Sequence, residues 1–167
     1  MDVELSRLLG GIVLGQTVAA LATLHAGDPF ASMIPYTTWL DAGGQRLRFV
    51  THVSRLSAHT RDMLESPRVC LLITAPPDDV SAEIVPQALP RVSIPAVATF
   101  IDPRHPDHDP LARAYLGKFP HAADWFQLGD FSIVAFEPQS ARFIAGFARA
   151  LNVSVAQLSA AVETASA

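Results

Sequence analysis

The sequence predicts a mainly-β fold, with six or seven antiparallel strands forming a barrel and helices at its periphery. Short runs rich in β-branched and aromatic residues recur along the chain, and turns containing Gly, Pro or Asp separate them. Few segments repeat apolar residues at helical spacing. A closed barrel also leaves no strand edge open to another chain.

Leu5, Leu8, Leu9, Ile12 and Val13 share a helical face, so residues 3 to 15 read as an amphipathic helix despite Gly10 and Gly11. Residues 17 to 25 read as a strand that ends at Gly27-Asp28-Pro29, and residues 30 to 40 as a second. Asp41-Ala42-Gly43-Gly44 is a hairpin connection to a third strand, 46 to 52. A helix from 57 to 65 stops at Ser66-Pro67. Val69 to Thr74 is a continuous apolar run, as expected of a strand buried on both faces. Residues 76 to 90 read as a loop. Residues 92 to 101 form a fifth strand, where Pro95 implies an edge or a bulge. Short helices flank Pro120, and strands follow at 131 to 136 and 141 to 147. Ser154 caps a last helix. Residues 1 to 150 thus read as one domain, and 151 to 167 as a C-terminal helix and tail.

The chain has 167 residues, half of them apolar and only 17% charged. That low charge predicts apolar surface buried between subunits. The formal charge of -4 and the single lysine, Lys118, argue against general nucleic-acid binding. Cys70 is the one cysteine and reads as a small buried hydrophobe. No run reaches the roughly 18 apolar residues of a membrane span, and the acidic start does not resemble a signal peptide. A cytoplasmic protein is expected.

The densest chemistry lies where the third strand meets the next helix. Thr51, Ser54, Arg55, Ser57, His59, Thr60 and Arg61 gather there. Hydroxyls, a guanidinium and an imidazole beside free helix N–H groups suit a phosphate dianion. The plainer alternative is that Ser54 or Ser57 is an N-cap and the arginines are solvated.

Four stretches together resemble the FMN-binding split-barrel superfamily of the pyridoxamine 5′-phosphate oxidases, and within it the haem-utilisation-like branch. They are LATLHAGDPFASMIPY (21 to 36), SRLSAHTRDMLESPRVCLLI (54 to 73), ALPRVSIPAVAT (88 to 99) and ARFIAGFARA (141 to 150). The resemblance implies a split β-barrel homodimer with FMN at the subunit interface. It implies that Ser32, Ile34, Pro35 and Tyr36 run beside the flavin ring and that Thr51 sits at its edge. It places Ser54, Arg55, His59 and Thr60 at the phosphate, Arg91 nearby, and Arg149 reaching over from the partner. The implied function is that of a flavoprotein oxidoreductase acting on an unidentified small molecule, with the redox chemistry supplied by the cofactor.

The sequence departs from the family pattern at Leu56, where a lysine is usual, and at Asp62, where asparagine is usual. It also has Ala148 for a closing glycine and Ala96 for a glycine of the fifth strand. These departures motivate the alternative of a non-enzymatic or haem-binding module with a degenerate flavin site. Some relatives hold haem through a C-terminal histidine; here no histidine follows His121, so another, such as His52, would have to serve. Tyr36, His52 and Tyr115 are possible proton donors or plain lining residues. Trp125-Phe126 beside Gly129-Asp130 either closes a pocket mouth or packs, and Trp39 either stacks on a ring or packs. His105-Pro106-Asp107-His108-Asp109 reads as a solvated loop, and no metal site is expected.

Overall fold

The computed structural model describes residues 1–76 and 86–166. Helix α1 (Val3–Gly15) opens the chain, with Asp2 accepting a hydrogen bond from the Leu5 N–H at 2.8 Å. Strands β1 (Val18–His25), β2 (Asp28–Pro35), β3 (Thr37–Leu40) and β4 (Leu47–Ser54) follow, then α2 (Ala58–Glu65) and β5 (Arg68–Thr74). After a short 3₁₀ turn at Pro86–Ala88 come β6 (Arg91–Ile101), α3 (His108–Lys118) and a 3₁₀ helix, Pro120–Gln127. Strands β7 (Phe131–Pro138), β8 (Ala141–Gly146) and β9 (Arg149–Val153) lead to α4 (Val155–Ser166). Most of the stretch read as a 76–90 loop lies outside the described residues.

All strand pairs are antiparallel, in the order β2-β1-β5-β6-β7-β4-β3, with β8 on β6 and β9 on β8. The two edge strands of this path, β2 and β3, are consecutive in the chain and meet at Tyr36. The sheet therefore curls on itself without a ladder between its edges, which makes it a split barrel rather than a closed one. Pro95 sits where β6 changes partner. Residues 91–93 pair with β8 and residues 96–101 with β7, so the missing N–H falls in the gap between them.

Nine strands are present among the described residues, not six or seven. The segment read as one strand from 30 to 40 breaks at Tyr36. Its ring is wholly buried against Phe49, and its hydroxyl donates to the Val13 carbonyl at 2.7 Å. Residues 149–153, not among the strands expected, pair with β8. The tight reversal between β8 and β9 requires positive φ at Gly146 (147°) and Ala148 (58°). An L-residue in that left-handed region is strained by about 1 kcal/mol. Ala148→Gly is therefore expected to raise the melting temperature by about 2–4 °C in a thermal melt.

Helices α1 and α4 pack together over one end of the barrel. Leu5, Leu9, Ile12 and Val13 of α1 are buried there, as are Leu158, Ala161 and Val162 of α4. A second, smaller core lies under α3 and contains Val50, Leu111, Tyr115, Phe119 and Ile133. One expectation fails at β5. Val69, Leu71 and Ile73 face the core, but Leu72 is 37% exposed, so the strand is buried on one face only. The register continues its outer face into Ala20 and Met33, and into Ala22, Ala31 and Pro95. This leaves an outer sheet surface of mostly small and apolar residues, with Arg68 at its edge, that no other described element covers in the single chain.

Candidate functional site

Strand β4 is buried on both faces, and that double burial builds the site. Phe49 and Val53 point into the barrel core, and Thr51 lies on the same face. Arg48, Val50 and His52 point the other way, under α3 and the 3₁₀ helix. Arg48 is 4% exposed and holds Asp107 at 2.6 Å and Glu137 at 3.1 Å; Arg46 reaches the same Glu137 at 2.7 Å. This network ties the start of α3 to β4 and β7. Asp107, part of the loop read as solvated, is thereby committed to Arg48. Among the described residues no group of three potential metal ligands occurs.

His52 lies flat against Phe126, with ring centroids 3.9 Å apart, and beside Phe131 and Tyr115. It is 6% exposed, and its buried Nδ1 has no hydrogen-bond partner among the described residues. Burial, with a smaller push from His108, lowers its pKa from 6.5 to about 4. The ring is therefore neutral at pH 7. It borders a cleft of about 550 Å³, lined also by Arg55, Phe100, His108, Phe126 and Phe131. That volume falls within the range of cofactor and ligand sites.

The His52 shift has a direct consequence for stability. Above pH 6.5 the imidazole is neutral whether the chain is folded or not. As pH falls toward 4, the unfolded chain takes up a proton that the folded chain refuses, so stability falls with pH, by at most about 3 kcal/mol. Melting temperature is expected to drop between pH 6.5 and 4, and His52→Phe should flatten that part of the profile.

At the β4–α2 junction the expected phosphate ligands do come together, but Ser54, Arg55 and Thr60 are engaged within the chain. The Ser54 hydroxyl donates to the Asp130 carboxylate at 2.7 Å and accepts from the Leu56 N–H at 3.1 Å. The Arg55 guanidinium donates to the Gly129 carbonyl at 2.5 Å, and its backbone N–H to the Asp130 carbonyl at 2.7 Å. Thr60 is buried and donates to the Ser54 carbonyl at 2.8 Å. Ser57 occupies the N-cap position of α2 without a side-chain cap bond. His59 keeps a buried Nε2 without a partner, and its pKa is lowered by burial against the opposing pull of Asp62. Asp62 points toward β1, accepting from Thr23 and from His25 at 2.8 Å each. Burial alone would raise its pKa, but these bonds and the charges of His25 and Arg61 hold it below the usual carboxylate value. Asparagine's usual place thus carries a carboxylate whose oxygens serve β1.

The other expected residues lie elsewhere. Ile34 and Tyr36 are core residues, so only their backbone is left to face a ring. Thr51 donates to the Pro35 carbonyl at 2.7 Å, across the split of the barrel. Ser32, on β2, keeps a buried hydroxyl with no partner among the described residues. Arg91 and Arg149 are neighbours through β8, and Arg91 donates to the Gln87 and Leu89 carbonyls. They sit at the opposite end of β6 from the junction, about 30 Å along the strand, so a single chain does not bring them to Ser54. Phe126 closes the cleft over His52, whereas the half-exposed Trp125 lines a separate pocket beside Lys118 and His121. Sequence reasoning gave no role of their own to Asp130, Phe131 and His108. The signal for Asp130 was its place in a Gly-Asp turn directly before a strand.

An antiparallel split barrel with a ligand-sized cleft beside the β4–α2 junction defines the class. Residues 10–145 match the pyridoxamine 5′-phosphate oxidase family, and the chain belongs to it. It is 30% identical over 147 residues to the chloroplastic heme oxygenase HOZ of Arabidopsis thaliana; the match covers 88% of this chain and 41% of that protein. A heme binding protein from Mycobacterium smegmatis superposes with a TM-score of 0.77 at 28% identity, over 96% of this chain and 62% of the other. The chain thus spans less than two thirds of either relative. HutZ, a heme storage protein from Vibrio cholerae, shares the fold with a TM-score of 0.66 at 20% identity, over 84% of this chain and 94% of that one. Haem-utilisation proteins therefore stand among its relatives. No described helix is long and apolar enough to cross a membrane.

Proposed function

We propose that this chain is a haem-binding member of the pyridoxamine 5′-phosphate oxidase family whose flavin site is degenerate. The observation that carries this reading is His52, a buried, neutral imidazole with an unpartnered nitrogen, bordering an aromatic cleft. A neutral imidazole is the form that binds haem iron. Phe100, Phe126 and Phe131 supply the apolar walls a planar macrocycle needs, and Arg55 lies where it pairs with an acidic side group. Bound haem would supply the redox-active iron; the chain contributes the ligand, a dry pocket and a counter-charge. The relatives named above support the same ligand class.

The protein is further proposed to act as a homodimer through the largely apolar outer face of β2, β1 and β5, since a contiguous apolar surface of this kind is rarely left in water.

The test is a titration of purified protein with haemin, followed by visible absorption. Wild type is expected to bind near one equivalent per chain, and His52→Ala to bind more weakly with a shifted band. Binding and spectrum unchanged in His52→Ala would overturn the assignment of the ligand, and no binding by wild type would overturn the haem reading itself. FMN binding is the second reading, favoured by the unpartnered Ser32 hydroxyl and His59 nitrogen. A yellow protein carrying one FMN per chain would replace the first reading with it.

A further inference from the structure

We infer that Asp130 is a specificity-determining residue: its carboxylate takes the place of a phosphate at the β4–α2 junction and keeps phosphate-bearing flavins out. This deepens the proposed reading by naming what closes the flavin site, and it is tested on FMN rather than on haem.

Three observations lead here. The Ser54 hydroxyl, at the end of β4, is already spent on Asp130 Oδ2 at 2.7 Å. One guanidinium N–H of Arg55 is turned onto the Gly129 carbonyl and the Arg55 backbone N–H onto the Asp130 carbonyl, so the same two-residue turn takes up donors from both Ser54 and Arg55. The turn is also held by the sheet, because Ser54 and Phe131 are paired residues of β4 and β7 and Asp130 immediately precedes Phe131. A dianion entering this junction would have to displace a carboxylate fixed to the strand beside it. If the carboxylate stayed, it would face a like charge at short range. The nearby cleft is open to Arg55, with a nine-tenths-buried His52 whose Nδ1 has no partner, so the region as a whole is built for a ligand. What it refuses is phosphate.

The two contributions of Asp130 separate by substitution. Asp130→Asn keeps an acceptor for Ser54 and both backbone bonds of the turn, and removes only the charge. Asp130→Ala also frees the hydroxyl. FMN affinity, read by quenching of flavin fluorescence, is expected to rise about tenfold in Asp130→Asn and further in Asp130→Ala. Riboflavin, which lacks the phosphate, should gain nothing. Adding Ser54→Ala to Asp130→Ala should reverse part of the gain. Thermal melts identify folded variants, and the near-isosteric Asn change keeps the test open should Ala unfold the turn. Wild-type protein that already binds FMN as tightly as the variants would overturn the inference. So would variants that bind no better than wild type, or a riboflavin gain equal to that of FMN. Haemin titration of the same proteins is read separately: haem binding lost in wild type with the FMN gain intact would overturn the haem reading and leave Asp130's role standing.

Discussion

Gly10→Val is expected to be the most damaging single substitution described here. A Cβ at position 10 would lie 2.1 Å from the Ala161 carbonyl oxygen and 2.7 Å from the Ala165 Cβ. The first of these is backbone, so no rotamer change relieves it. Helices α1 and α4 would have to part, uncovering Leu9, Val13, Leu158 and Val162 together. Overpacking of this kind costs about 3 kcal/mol or more, which corresponds to a fall of roughly 10 °C in melting temperature. Gly11→Ala is the matched control, since nothing lies within 4 Å of its added Cβ. It should instead stabilise the helix slightly. Similar melting temperatures for the two variants would show that the helix pair is not seated as described.

Arg48→Met is expected to cost about 1–2 kcal/mol, because a buried guanidinium loses charge-assisted hydrogen bonds to two partly exposed carboxylates. Arg46, half-exposed, would remain beside both Asp107 and Glu137. The loss should appear as a lower urea midpoint with an unchanged slope, since the fold stays compact. It also bears on the site. Asp107 anchors the start of α3, and the next residue, His108, lines the cleft. Adding Glu137→Gln to Arg48→Met should recover part of the stability, which a purely steric effect of methionine would not allow.

The sequence made the barrel legible because strand runs and turns alternate sharply, and because each apolar strip of a half-buried strand has period two. It hid the division at Tyr36, since a strand that bends between two sheet partners keeps an unbroken apolar pattern. It hid β9 because RALNV has few β-formers and follows a turn whose glycine has become alanine. The doubly buried reading of β5 failed for a related reason. An apolar outer face reads the same whether a helix, a second protomer or only solvent lies over it. At the site, the clustering of Ser54, Arg55, His59 and Thr60 was legible from spacing alone. Their hydrogen-bond partners were not, because Gly129 and Asp130 lie more than 70 residues away in sequence and reach them only through the β4–β7 ladder. His52 could be placed on a strand face and a short helix after Pro120 could be read, but that this helix lays Phe126 over His52 depends on tertiary packing that spacing does not carry.

The chain's one lysine is spent on architecture. Lys118 Nζ, from the end of α3, donates to the Leu14 and Gln16 carbonyls at the end of α1 and rests 4.8 Å from the centre of the Tyr36 ring. Burial lowers its pKa, yet its donors are aimed at those carbonyls. Reagents and enzymes that modify lysine amines therefore find no freely waving target among the side chains. Lys118 is half-buried beside the Trp125 pocket, so acylating it would mean first breaking its two carbonyl bonds, and the rate of acylation would clock how often they open.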